Sequence, residues 1–347
     1  MTTCFATFDQ NKRNYKAGES VRGQFVLTTT TDKPVHAVYI QLRGEGIVFV
    51  NEYRNVPMKS GIEKIVDSRV NIIEGTSLAA GTYTIPFDFL IPDNVPTSCF
   101  FDLGIIKYSV VLVIDRPWKF DKEFEELITV RGCYDLSKYP ELLVPIENEV
   151  IKSFCCWPCA SAPIILSLRM PISGYVPGET INCIISIDNQ AVGNDLVNVQ
   201  LSLIQIVKFA SILSDARTVI RTRKAIICSN LLADRVNRLS KKFINGTLVV
   251  PDTVHSSRER HIIRIQYLVL LSMAFGYFHP NCVIEVPIVI GTEPLIPNLN
   301  DDLASATEIT QWIPQTPDTP AGATTPSAPC FDDSGKSKHA KYLYSVY

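Results

Sequence analysis

Gly174 to Asp188 reads GYVPGETINCIISID, a tight turn feeding straight into a strand. Pro177-Gly178 is the turn signal. After it Ile181, Cys183, Ile185 and Ile187 share one face, while Asn182, Ser186 and Asp188 fall on the other. That alternation has the period of a half-buried strand. The same phrase stands earlier in the chain as YKAGESVRGQFVLT, Tyr15 to Thr28. Gly18-Glu19 matches Gly178-Glu179 at a spacing of 160 residues. At that spacing Val21, Gly23, Phe25 and Leu27 fall on Ile181, Cys183, Ile185 and Ile187.

Three further stretches repeat in the same order. Val38, Ile40 and Leu42 match Val199, Leu201 and Leu203 at a spacing of 161. Ile91-Pro92-Asp93 matches Val250-Pro251-Asp252, and Ile106, Tyr108, Val110 and Leu112 match Ile265, Tyr267, Val269 and Leu271, both at 159. A period this long is a duplicated domain and not a solenoid repeat. Each copy is long enough for its own core. The net charge of −2 excludes the strongly basic balance of a dedicated nucleic-acid binder. The opening MTTCFATFDQNKR has no basic flank ahead of an apolar run, so no signal peptide is expected. The ten cysteines are then expected as reduced thiols in a cytoplasmic setting.

Along the first copy, short β-branched and aromatic runs alternate with turns. Strands are expected at Ser20 to Thr29, Val35 to Arg43, Val70 to Ile73, Tyr83 to Ile91, Ile106 to Ile114 and Glu123 to Val130. Gly44 and Gly46 suit a bulge. Val56 to Asp67 is polar and reads as a connecting hairpin, and the Trp118 indole as a cap on the sandwich. In the second copy the span Ile265 to Ile284 has no Lys, Arg, Asp or Glu, but Gly276 and His279-Pro280-Asn281 interrupt it. It reads as a buried strand and hairpin, not a membrane span. Asn230 to Leu239 is read as helical, and Asp135 to Tyr139 as a short helical turn. The sum is an all-β chain of two tandem antiparallel β-sandwiches. The domains are expected at 1–132 and 164–295, with a linker at 133–163 and a disordered Pro/Thr/Ser-rich tail at 296–347.

The paired turn-strands, AAGTYTIPFDFLIPDNVPTS at Ala79 to Ser98, IIKYSVVLVIDRPW at Ile105 to Trp118, the CCWPC linker and VPIVIGTEPL at Val286 to Leu295 together resemble the α-arrestin (arrestin domain-containing) family. The resemblance implies two immunoglobulin-like sandwiches of the arrestin fold. It also implies a cytosolic adaptor that binds membrane-protein cargo and directs it to endosomal sorting, with recruitment to the plasma membrane and endosomes. A different class, a structural coat subunit on endosomes like the arrestin-fold subunit of retromer, is the alternative. A third reading is a regulator that pairs a cysteine with thioredoxin-like partners. Many members of the family carry Pro-Pro-x-Tyr motifs that dock ubiquitin ligases. No Pro-Pro pair occurs in this sequence, so direct recruitment of a ubiquitin ligase by that route is not an expectation these residues support.

Pro326-Ser327-Ala328-Pro329 resembles the late-domain motif that docks on ESCRT-I, and a pre-extended proline segment suits such a groove. Thr316, Thr319 and Thr325 each precede a proline and suit proline-directed kinases. Arg217, Arg221, Arg223, Lys224, Arg235, Arg238, Lys241 and Lys242 form a basic stretch, set against either a solvated strand edge or an anion site for phosphates or lipid heads. Lys12, Arg13 and Lys16 are a smaller cluster. Cys155, Cys156 and Cys159 are read as packing between the domains, with reversible acylation as the functional alternative. No second Cys pair or nearby His completes a zinc site, and no cofactor is expected. The five histidines stand in no metal-ligand or triad spacing, and no phosphate-cradling glycine loop or nucleophile elbow occurs, so catalysis is not expected.

Overall fold

The computed structural model describes residues 1–53, 56–75, 77–153, 155–156, 159–160, 162–193, 195–212, 218–258, 261–275 and 281–295. Strands dominate. The helical pieces among the described residues are short 3-10 turns at Asp9–Asn11, Leu136–Lys138 and Pro140–Leu143. The second of these is the expected turn, capped by the Asp135 carboxylate on the Ser137 N–H at 3.0 Å. Met1–Pro297 forms one compact unit.

In the first half, a sheet of Thr2–Phe8, Ser20–Thr29 and Gly81–Leu90 packs on a larger one. The larger sheet runs in the order Asn14–Lys16, Lys122–Arg131, Gly104–Asp115, Ala37–Tyr53, Val56–Glu74. In the second half, Ile146–Lys152, Ile164–Met170, Thr180–Asn189 and Ser240–Val249 pack on Gly174–Tyr175, Cys282–Ile290, Ile263–Phe275, Leu196–Ile212 and Thr218–Val236. Each half closes on a parallel pair. Asn14–Lys16 lies beside Thr129–Arg131, and Gly174–Tyr175 beside Val289–Ile290. The faces read from the sequence are the buried ones: Val21, Phe25 and Leu27 in one half, Ile181, Ile185 and Ile187 in the other, all at 0% exposure.

The duplicated turn is the same structure twice. Gly18 (φ +84°) and Gly178 (φ +93°) take the left-handed conformation that favours glycine. Gly18 N–H donates to Ile91 O at 3.0 Å and Gly178 N–H to Val250 O at 2.8 Å. The following glutamates reach back to a backbone N–H three residues earlier, Glu19 to Lys16 at 2.9 Å and Glu179 to Val176 at 2.8 Å. The step in spacing from 160 to 161 is also explained. Pairing with Ile263–Phe275 shifts by one residue between Val197 and Gln200, where Asn198 has φ 56°. That extra residue is a β-bulge. Past it, Val110 pairs Leu42 as Val269 pairs Leu203. The first half has a register shift opposite Gly44 and Glu45, but the extra residue is Ile65 on the partner strand Val56–Glu74 and not a residue of the glycine-bearing strand.

Two expectations are corrected. Val56 to Asp67 is no connection, and Val70 to Ile73 no separate short strand: both belong to the edge strand Val56–Glu74, paired along Ala37–Tyr53. Asn230 to Leu239 is not helical: through Val236 it belongs to the edge strand Thr218–Val236. An edge strand meets water along much of its length, so polar residues do not interrupt it and its period-2 signal fades. The apolar span behaves as expected, since Ile263–Phe275 pairs with Cys282–Ile290 from Tyr267↔Ile288 to Met273↔Cys282. Among the described residues no helix is long and apolar enough to cross a membrane.

Candidate functional site

Two long hairpins define the surface of interest. Ala37–Tyr53 with Val56–Glu74, and Leu196–Ile212 with Thr218–Val236, are equivalent in the two halves. They meet where the halves join. A Cβ built on Gly61 would stand 3.3 Å from Ala210 O, a tight contact, so the two backbones approach closely here. Glu63 crosses the seam with both oxygens: Oε1 lies 2.7 Å from His261 Nδ1, and Oε2 accepts from Ile262 N–H at 2.9 Å. Burial alone would raise the Glu63 carboxyl, but the His261 and Ile262 hydrogen bonds outweigh it and hold its pKa below the ordinary value. Phe101 and Phe209 meet edge to face at 6.0 Å, and Arg223 Nε donates to Asp102 at 2.8 Å. The seam thus combines apolar, hydrogen-bonded and ionic contacts.

The chain between the sheets closes the other side. Tyr134 N–H donates to Thr292 Oγ1 at 2.8 Å, Thr292 N–H returns to Tyr134 O at 2.9 Å, and Leu136 N–H reaches Glu293 O at 3.2 Å. Leu136 is fully buried against Gly291. His255 sits beneath, 5.9 Å from the Tyr134 ring, with Nδ1 on Ser256 O and Nε2 buried without a partner. Burial lowers its pKa and keeps it neutral.

The basic stretch is not one cluster. Arg221, Arg223 and Lys224 lie toward the seam, with Arg223 on Asp102 and Lys224 4.0 Å from Glu285. Arg235 pairs Asp195 at 3.5 Å, and Lys241 lies 5.1 Å over the Phe243 ring, at the far end of the strand. Residues 223 and 235 are on the order of 40 Å apart at 3.3 Å per residue. Arg238 and Lys242 belong with that far group, where Lys241 and Lys242 stand opposite Asp188 and Ile187. Arg217 lies outside the described residues. In the smaller cluster Lys12 pairs Glu19 at 2.8 Å and Arg13 pairs Glu126 at 2.9 Å.

Cys155–Cys156 and Cys159–Ala160 form a two-residue ladder, Cys155↔Ala160 and Cys156↔Cys159, while their side chains lie outside the described residues. Burial pushes the thiols of Cys99 and Cys183 up to about 12 and helps push that of Cys4 to about 11, so they are protonated and unreactive near neutrality. Pro326-Ser327-Ala328-Pro329, Thr316, Thr319 and Thr325 all lie outside the described residues. Trp118 corrects an expectation: it caps nothing. The ring projects from the hairpin tip with 102% relative exposure, and Phe120 beside it has 94%. What sequence reading missed is the seam. Glu63, His261 and Phe209 carry no local signal, because their partners are more than a hundred residues away in the chain.

With this geometry in view, comparison with known proteins agrees. The model of the arrestin (or S-antigen) N-terminal domain matches residues 4–137, and that of the C-terminal domain residues 160–295. The chain is 25% identical over 193 residues to arrestin domain-containing protein 17 of Caenorhabditis elegans, covering 50% of this chain and 45% of that protein. It is 25% identical over 305 residues to arrestin domain-containing protein 4 of Mus musculus, covering 82% and 70%. To arrestin domain-containing protein 5 of Homo sapiens it is 24% identical over 297 residues, covering 80% and 84%. The chain thus spans less than half of the first of these relatives and most of the other two.

Proposed function

The chain belongs to the arrestin domain-containing (α-arrestin) family, and on that premise we propose that it is a non-catalytic adaptor in protein transport. It links membrane cargo such as receptors and transporters to ubiquitin-dependent endosomal sorting, working in the cytoplasm with recruitment to the plasma membrane and endosomes. The observation that supports this reading is the pair of arrestin domains whose two equivalent hairpins meet at one seam. A face built from paired strands of two domains suits extended cargo segments. Cargo docks at the seam, beside Arg221, Arg223 and Lys224, where acidic or phosphorylated segments find cations.

Pro326-Ser327-Ala328-Pro329 supplies the second contact, to ESCRT-I, in place of the missing ligase motif. The test is capture of the ESCRT-I variant domain by the full chain, beside a chain carrying Pro326→Ala and Pro329→Ala. Binding by the parent, weakened about tenfold or more by the pair of substitutions, supports the adaptor. Equal failure of both removes the sorting contact and advances the endosomal coat-subunit reading.

A further inference from the structure

The least accounted-for surface lies far from the seam. The strand Gly104–Asp115 touches the second half at its start, where Gly104 packs against Ile263 and Phe209. Its other end, on the order of 35 Å away, runs into the tip Arg116 to Asp121. The ladder stops at Ile114↔Lys122, so the tip is a short loop beyond the last paired residues. Two large aromatics stand there wholly in water, and neither adds to a core. Single exposed apolar residues are ordinary, but two such rings on one tip are not.

The loop is built to present them. Arg116 Nε donates to Phe120 O at 3.0 Å, and a second guanidinium nitrogen donates to the same oxygen. Trp118 takes φ 61°, a left-handed conformation that a non-glycine residue rarely adopts. Lys122 Nζ is tied to Thr2 O at 2.7 Å and lies over the Phe124 ring. Arg116 and Lys122 are thus held by contacts within the chain, while the indole and the phenyl ring face out. The charges nearly balance: Arg116, Lys119 and Lys122 stand against Asp115 and Asp121.

We propose that this tip is a membrane-interface anchor, with the Trp118 indole and the Phe120 ring entering the headgroup layer of a bilayer. A preorganised pair of rings with Lys119 between them in the chain matches what that layer accepts: an apolar body with an amphipathic or cationic group at its rim. No strong single-sign charge is present to select an acidic or basic protein partner. The anchor is independent of cargo binding, so its failure leaves the adaptor reading intact.

Trp118 is its own probe. In the full chain carrying Trp157→Phe and Trp312→Phe it is the sole tryptophan. Vesicles of phosphatidylcholine, alone or mixed with phosphatidylserine, should shift its emission to the blue, and brominated acyl chains should quench it. In co-sedimentation, Trp118→Ala with Phe120→Ala should weaken vesicle binding about tenfold or more. The two lipid compositions should differ by less than about tenfold, given the balanced charge. No emission shift with either vesicle overturns the proposal, as does a double variant that sediments like the parent; the tip would then fit a protein groove. Both substituted side chains are fully exposed, so folding does not confound the result.

Discussion

The same cross-strand pair is filled in opposite senses in the two halves. In the first half Gly23 stands opposite Phe87; in the second, Cys183 stands opposite Gly246. The glycine has changed strands. In the first half the ring of Phe87 occupies the space, within 5.7 Å of Phe8 and 5.5 Å of Phe25. In the second, the space above Gly246 is shared by the tips of Ile185, Leu201 and Leu232. The backbone frame, its positive-φ turns and its ladders repeat, whereas the volume inside is filled by the partner strand's ring in the first half and by side chains from three strands in the second. Cores hold their density by total volume more than by identity.

Substituting the two glycines breaks this comparison most directly. A Cβ on Gly23 would lie 2.3 Å from Thr7 O and 2.8 Å from Phe87 Cζ, one of them immovable backbone. Gly23→Ala should cost about 3 kcal/mol in denaturant unfolding. Gly246→Ala meets only side-chain ends at 3.1–3.2 Å and should cost under about 1 kcal/mol. Equal losses would show that the two sites are not packed in opposite senses. The buried tyrosines come next. Tyr108 donates to Pro96 O at 2.6 Å, whereas the Tyr267 hydroxyl joins Val254 O, Thr253 Oγ1 and Gln205 Nε2 at 2.5, 2.9 and 2.7 Å. Tyr267→Phe should therefore cost about 2 kcal/mol and Tyr108→Phe about 1 kcal/mol, since more buried partners are stranded in the second half.

The strands between these sites show what a sequence can reveal. Leu112 and Leu271, central and buried, announce themselves by the unbroken apolar runs they sit in, and the glycine turns by their paired phrases. Arg69 and Ile226 sit on edge strands where side chains meet water, so neither residue signals its strand. Trp118 misleads for a related reason: composition favours burying an indole, and nothing local says that the hairpin tip points away from the core. The seam was invisible because Glu63 and His261 gain meaning only once the halves meet.

The seam has no counterpart within either half, and its predictions are smaller. Glu63→Gln keeps an acceptor but loses the charge, and should cost about 1 kcal/mol near neutrality. The folded pKa of Glu63 is lowered from 4.5, so its contribution is complete above that unfolded value and is lost as the pH falls through the folded one. Parent and variant should therefore converge in acid, as followed by urea midpoints across pH. A gap that persists there would assign the effect to shape instead of charge. Arg223→Ala, on an exposed pair with Asp102, should change stability by less than about 1 kcal/mol, and the difference should shrink with added salt.

The parallel pairs that close each half also set an order in time. A ribosome delivers Asn14–Lys16 long before Thr129–Arg131, and Gly174–Tyr175 long before Val289–Ile290. The early member of each pair waits for nearly a whole half to be made, a contact of high sequence separation and slow closure. The first half can finish while the second is still being translated, and Tyr134 finds Thr292 only after almost the entire body has emerged. A nascent chain halted between these events would hold one completed sandwich and one set of open strand edges, the state in which this protein most needs a chaperone.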